Sequence, residues 1–176
     1  MKEIAEYLGR AQKRGQLRFM LIGARGLEAH GYVRNTRDVD FLISHGDVEA
    51  MHRLLKGAGY EQVDDSPLFS RWCDRSHAHE DIDVLFVSED TFEKLSFDAV
   101  DFPVGHVKLK VPSPMGLVSL KLHAIKSSPD RLLKDGADIG ELAKRHPDIL
   151  TKAVLEQLCL RFGSPKAWEY LSLFLP

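Results

Sequence analysis

Phe19–Ile43 reads FMLIGARGLEAHGYVRNTRDVDFLI. Its first four residues, Phe19-Met20-Leu21-Ile22, are a short apolar run that predicts a buried strand. Gly23 and Ala24 cut the run, and Gly26-Leu27-Glu28-Ala29-His30 follows as a short helix. A second strand is predicted over Asp38-Val39-Asp40-Phe41-Leu42-Ile43. Side chains two apart on a strand share a face, so Asp38 and Asp40 project together with Leu42 behind them. Val39, Phe41 and Ile43 make the other face wholly apolar. A strand that opens with two carboxylates on one face and is greasy on the other departs from ordinary solvent alternation, and its acidic end reads as a functional position.

The pattern returns in Asp81-Ile82-Asp83-Val84-Leu85-Phe86-Val87. Asp81, Asp83, Leu85 and Val87 share one face, and Ile82, Val84 and Phe86 share the other. Around these two strands the chain reads as a mixed α/β (α+β) domain. Lys2–Arg14 has helical apolar spacing through Ile4, Tyr7, Leu8 and Ala11. Residues 33–37 form a polar bridge carrying Arg34, Asn35, Thr36 and Arg37. Ser44 or Asp47 caps a helix that runs to Lys56 and stops at Gly57 and Gly59. Tyr60–Val63 and Leu68–Cys73 are strands flanking an Asp64-Asp65-Ser66-Pro67 turn, and a polar loop covers residues 74–80. A capped helix from Ser88 to Leu95 and strands near Phe97–Asp101 and His106–Val111 complete this part.

Pro112 and Pro114 mark a boundary, beyond which Ser113–Lys126, Pro129–Arg145, Asp148–Phe162 and Ser164–Phe174 all read as helices. The expected organisation is an α/β core over residues 1–111 and a helical C-terminal subdomain over 112–176 packed on it, closing one side of a cleft. The aromatics Trp168, Tyr170 and Phe174 of the last helix are expected in its core.

Composition narrows the function classes. With 176 residues, 44% apolar, 28% charged and a net charge of −2, the chain is an ordinary globular sequence without the basic field that a long nucleic-acid footprint needs. Cys73 and Cys159 are too few and too far apart for a disulfide framework, which points to a reduced, cytoplasmic setting. Met1–Arg18 is charged and helical, unlike a signal peptide, and no apolar run approaches the roughly 18 residues of a membrane span.

Carboxylates from two strands suit two-metal phosphoryl transfer, in which two divalent ions about 3.5–4 Å apart clamp the attacking and leaving oxygens. Mg²⁺ takes hard oxygen ligands, commonly one or two carboxylates plus substrate phosphates. A glycine turn entering a helix offers backbone N–H groups to a polyphosphate. Strand, Gly-small turn, short helix, Thr36-x-Asp38-x-Asp40 and a third aspartate on a later strand together resemble the DNA polymerase β-type nucleotidyltransferase superfamily, nearest to its small bacterial toxin-type and uncharacterised members. The resemblance covers residues 19–87 and extends more weakly into 117–142.

The resemblance implies transfer of a nucleoside monophosphate from an NTP to a hydroxyl, with Mg²⁺ or Mn²⁺ as cofactor. It makes Asp38, Asp40 and Asp83 the catalytic metal ligands, with Asp83 also activating the acceptor. Asp81 competes for the third place, and Asp83, deeper in its strand, is preferred. Gly23, Ala24, Arg25, Thr36, Arg37, Lys121 and Asp135 become the nucleotide-binding positions, Lys121 and Asp135 standing for a lysine on one helix and an aspartate on the next, with Asp138 or Lys134 as substitutes. In the bland alternative Lys121 is the polar edge of an amphipathic helix, and Asp135 and Asp138 are surface charges paired with Lys134 or Arg131.

The family usually reads Gly-Gly-Ser or Gly-Ser where this chain has Gly23-Ala24-Arg25, so either Arg25 replaces the serine hydroxyl electrostatically or triphosphate affinity is lost. The acceptor stays open among RNA such as a tRNA end, a protein hydroxyl and a small molecule. A second class is a catalytically silent binding protein of the same fold, half of a toxin–antitoxin pair with a cognate antitoxin as partner. A remote third is a zinc hydrolase using His77, His79 and Asp81, in the H-x-H-x-D order of metallo-β-lactamases, although Ile82 stands where that family has its next histidine.

Overall fold

The two acidic strands lie side by side. In the computed structural model, which describes residues 2–76 and 78–173, they are β2 (Asp38–Ser44) and β5 (Asp81–Val87). They pair in parallel, with Asp38 opposite Asp81 and Asp40 opposite Asp83. The other strands are β1 (Met20–Leu21), β3 (Tyr60–Ser66) and β4 (Phe69–Asp74), and the sheet runs β1-β2-β5-β4-β3. Its other pairings are antiparallel, so the sheet is mixed. A separate ribbon is formed by β6 (Val100–Val104) and β7 (Val107–Val111). The helices are α1 (Lys2–Lys13), α2 (Gly23–Glu28), α3 (Val48–Gly57), α4 (Glu89–Phe97), α5 (Pro114–Ser127), α6 (Leu132–Arg145), α7 (Lys152–Phe162) and α8 (Pro165–Ser172). The chain has the mixed α/β class expected from its sequence.

The register of the central pair is set by its greasy face. Val39, Phe41, Ile43, Ile82, Val84 and Phe86 are all buried, and each such side chain contributes about 1.5–3 kcal/mol on burial. A slip of one residue would turn these side chains outward and push aspartates into the core. Phe41 meets Phe19 edge to face at 5.3 Å between centroids. On β4 the fully buried Trp72 donates its Nε1–H to Ser70 Oγ at 2.9 Å and lies 4.9 Å from the His52 ring. Burial pushes the His52 pKa down, the largest of the influences on it.

Two compact units result: Met1–Ala29 with Val33–Pro112, and His30–Tyr32 with Ser113–Pro176. The helical unit is built on side-chain caps: Ser113, Thr151 and Ser164 accept from the Gly116, Val154 and Ala167 amides. Its core includes Leu117, Leu122, Ile139, Leu142, Leu155 and Leu171. The stretch 30–32 joins it because Arg145 Nε donates to the Gly31 carbonyl at 2.9 Å and the Arg145 guanidinium lies 5.0 Å from the Tyr32 ring centroid. Among the described residues no helix is long and apolar enough to cross a membrane.

Several boundaries differ from the sequence expectation. Asp64, Asp65 and Ser66 are strand residues, because Ser66 pairs directly with Phe69 and the hairpin turns on Pro67-Leu68 alone. Ser44 and Asp47 form no capping hydrogen bond. The Asp47 carboxylate instead accepts from Arg18 N at 3.1 Å, the Arg18 guanidinium at 3.2 Å and Ser44 Oγ at 2.9 Å. The helix expected from Asp148 begins only at Lys152, where Thr151 supplies the cap. Phe174 lies outside the described residues.

Candidate active site

Asp38, Asp40 and Asp83 each offer one carboxylate oxygen, and these atoms lie within 4.8 Å of one another. The parallel pairing puts Asp40 and Asp83 on adjacent strands in the same row, and the period of two brings Asp38 onto the same face. Asp83 is 9% exposed and Asp38 and Asp40 are half-buried. The donor set is all hard oxygen, which fits Mg²⁺ or Mn²⁺ and not a soft or imidazole-preferring ion.

The glycine turn and the acidic strand are one structure. Ile22 N–H donates to the Asp40 carbonyl at 2.9 Å, which lays the turn against β2. Gly23 has φ +59°, and a Cβ placed there would sit 1.9 Å from Asp40 Oδ2. Only glycine satisfies both the left-handed backbone and the carboxylate that fills the space over it. The helix α2 begins at Gly23 itself and ends at Glu28, ahead of the Gly26–His30 helix expected from the sequence.

Neighbouring groups orient the acids. Thr36 Oγ1 hydrogen-bonds the Asp38 carboxylate. Arg71 on β4 makes a two-pronged contact with Asp83, Nε to Oδ1 and a terminal nitrogen to Oδ2, both at 2.8 Å. The hydrogen bond to Asp83, with the charge of the same carboxylate, holds the Arg71 guanidinium above its ordinary pKa. Upstream of β5, the Asp74 carboxylate accepts from the amides of Ser76, Ala78 and His79 and from the Ser76 hydroxyl. That cradle, the Ser76 hydroxyl first, lowers Asp74 to about 2 and ties Ser76, Ala78 and His79 to the end of β4.

The remaining expected residues have other company. Arg25 pairs with Glu28 at 2.8 Å and reaches Glu80 at 3.5 Å. Arg37 is exposed. Asp81 is exposed at the head of β5, in register with Asp38. Lys121 and Asp135 belong to the helical unit, where Lys121 Nζ donates to Asp135 at 3.0 Å and to Asp138 at 2.6 Å, while Arg131 Nε donates to Asp135 at 2.7 Å. Asp135 and Asp138 are 1% and 2% exposed, so neither is the surface charge of the bland alternative.

For the zinc alternative, His77 lies outside the described residues, and His79 is 3.7 Å from Glu3. Among the described residues the metal-competent group is the aspartate triad, which contains no histidine. Arg71 is the site residue that sequence reasoning missed. Its signal was the alternation of Phe69, Arg71 and Cys73 against Ser70 and Trp72 in a strand already recognised as such.

No family model matches the sequence, and no curated protein matches it. Solved structures do match the fold. The antibiotic-resistance factor ANT(2″)-Ia in solution superposes with a TM-score of 0.66 at 14% identity, over 97% of this chain and 92% of that one. The lincosamide antibiotic adenylyltransferase LnuA with lincomycin bound gives 0.57 at 14% identity, over 81% and 96%. An antigenic nucleotidyltransferase-like protein from Paracoccidioides brasiliensis gives 0.54 at 15% identity, over 99% and 93%. At 14–15% identity these likenesses reach the fold, which this chain shares with solved nucleotidyltransferases and nucleotidyltransferase-like proteins over most of its length.

Proposed function

We propose that the chain is a Mg²⁺- or Mn²⁺-dependent nucleotidyltransferase that moves a nucleoside monophosphate from an NTP to a hydroxyl. The observation that carries this reading is the convergence of Asp38, Asp40 and Asp83 beside a glycine turn moulded to Asp40. Asp38, Asp40 and Asp83 would hold the metal, and Thr36 keeps Asp38 oriented. Bound divalent metal supplies Lewis-acid stabilisation of the phosphoryl oxygens and of the leaving pyrophosphate. Asp83 takes the acceptor's hydroxyl proton as its oxygen bonds to the α-phosphorus and the bond from that phosphorus to the bridging oxygen breaks. The Gly23-Ala24 turn receives the triphosphate through backbone N–H groups, and Arg25, Thr36 and Arg37 line the nucleotide. Lys121 and Asp135, expected at the nucleotide, are joined to each other within the helical unit, where they tie α5 to α6. LnuA is by name an antibiotic adenylyltransferase, which puts a small hydroxylated acceptor ahead of a tRNA end or a protein.

A silent binding protein, with a cognate antitoxin or other partner, is the second reading. It is favoured by Ala24 in place of the turn serine and by the engagement of Arg25 with Glu28 and Glu80. Thermal unfolding with each NTP, with and without Mg²⁺, separates the two. A ligand at 100 times its Kd adds about 2.7 kcal/mol, a rise of several degrees at about 2–4 °C per kcal/mol. A Mg²⁺-dependent rise that disappears in Asp40→Asn supports the transferase. The absence of a rise with every NTP gives the lead to the binding protein.

A further inference from the structure

Residues 40, 83 and 71 occupy one row across three adjacent strands, with Asp40 opposite Asp83 on β2 and β5 and Arg71 opposite Asp83 on β4 and β5. Arg71 is thus delivered to the edge of the triad by backbone register. Its guanidinium grips both oxygens of Asp83 at 2.8 Å. The two side chains differ in exposure, 48% for Arg71 and 12% for Asp83. The guanidinium carbon also lies 5.7 Å from the centroid of the Phe69 ring, two residues back on the same strand face.

Each feature has a consequence for a cation at the triad. The fork engages one lone pair on each Asp83 oxygen and places a full positive charge beside a carboxylate that a bound metal would need. An arginine half in solvent is not trapped there. Its guanidinium carbon lies within cation–π range of the Phe69 ring, at 5.7 Å from the centroid, a second contact that would keep the guanidinium near the site once its carboxylate is shared.

We propose that Arg71 is the internal counter-ion of the metal site: it holds Asp83 in place before metal arrives and competes with the metal for that carboxylate. The proposal rests on the transferase reading above. Arg71 is a positioning residue, acting on the reaction only through Asp83. It keeps three neighbouring carboxylates compatible in the absence of metal, at the expense of metal affinity.

The test uses Mn²⁺ alone as the probe, with binding to the full chain followed by electron paramagnetic resonance of the free ion at low and high ionic strength. The variants are Arg71→Gln, Arg71→Lys, Asp83→Asn, Asp40→Asn and the Arg71→Gln/Asp83→Asn pair. Arg71→Gln is expected to bind Mn²⁺ about three- to fivefold more tightly than wild type at low salt, the upper end of the scale of a partly exposed ion pair. The gain should shrink at high salt, because screening weakens the guanidinium's opposition. It should vanish in the Asp83→Asn background. Arg71→Lys, which keeps the charge, should return to within about twofold of wild type. If Arg71→Gln does not fold, Arg71→Met replaces it.

Equal or weaker binding in Arg71→Gln overturns the proposal, as does a gain that survives without Asp83. The metal-site reading fails separately. If Asp40→Asn binds Mn²⁺ as wild type does, the triad is not the metal site and the counter-ion role falls with it. Loss of binding in Asp40→Asn with no gain in Arg71→Gln leaves the metal site standing and removes Arg71 alone.

Discussion

Two clusters of acid and base, built from nearly the same parts, occupy the two units of the molecule. In the α/β unit, Asp38, Asp40 and Asp83 crowd within 4.8 Å, and half-exposed Arg71 attends Asp83. In the helical unit, Asp135 and Asp138 are sealed from solvent with Lys121, itself 8% exposed, and Arg131 joins Asp135 from the edge. One cluster gathers like charges where an incoming cation can reach them; the other buries carboxylates already matched with cations. Burial turns an ion pair into a strut, because removing either partner strands a charge in a poor solvent. Exposure turns a cluster of acids into an affinity, because water tolerates the repulsion until something positive arrives.

The hardest blow to this contrast is Lys121→Met, which leaves two buried carboxylates without their ammonium. A loss of about 3–5 kcal/mol is expected in chemical denaturation. A loss under about 1 kcal/mol would show that the helical cluster is not a strut. Next comes Gly23→Ala, whose Cβ would meet Asp40 Oδ2 at 1.9 Å from a backbone at φ +59°. Strain of about 1–3 kcal/mol is expected, together with loss of Mn²⁺ binding; retained binding would uncouple the turn from the ligand.

Acid titration probes the strut from another side. Burial pushes Asp135 up, but Lys121 and Arg131 outweigh it and hold the carboxyl below its ordinary value. A depressed carboxylate pKa gives stability that is fully present above the unfolded value, about 3.9, and is lost as pH falls through the folded one. Stability measured below about pH 4 should therefore fall less steeply in Asp135→Asn than in wild type; parallel curves would deny the linkage. The smallest change is expected for Asp40→Asn, which relieves repulsion in a half-open cluster. Its unfolding free energy should stay within about 0.5 kcal/mol of wild type, while the Mg²⁺-dependent nucleotide shift disappears. A large destabilisation would make the acidic triad a strut as well.

The sequence made legible what depends on short-range periodicity. Asp38, Asp40 and Asp83 stand out because a period of two sorts carboxylates from core residues within a single strand, and Gly23 because nothing else allows so abrupt a turn. The partner strand of β5 was not legible. Arg71 reaches Asp83 through antiparallel pairing of β4 with β5, a choice made by the whole sheet and leaving no local trace. The hairpin turn was misplaced for a related reason: Asp64-Asp65-Ser66 has turn-like composition, but cross-strand pairing with Phe69, Ser70 and Arg71 extends the strand through it. Lys121 was recognised, but its depth was not. Helical spacing tells which residues share a stripe, and only packing decides how far water is from it.

Trp72 lies directly behind this site, on the apolar face of the strand that carries Arg71, fully enclosed and with the His52 imidazole 4.9 Å from its indole. An indole so enclosed emits toward the blue, and a protonated imidazole is an efficient quencher of that emission. Because burial lowers the His52 pKa, its quenching sets in only in more acidic solution than free histidine would require. The sheet thus carries its own optical gauge one residue away from Arg71, with a spectral signature that needs no added label.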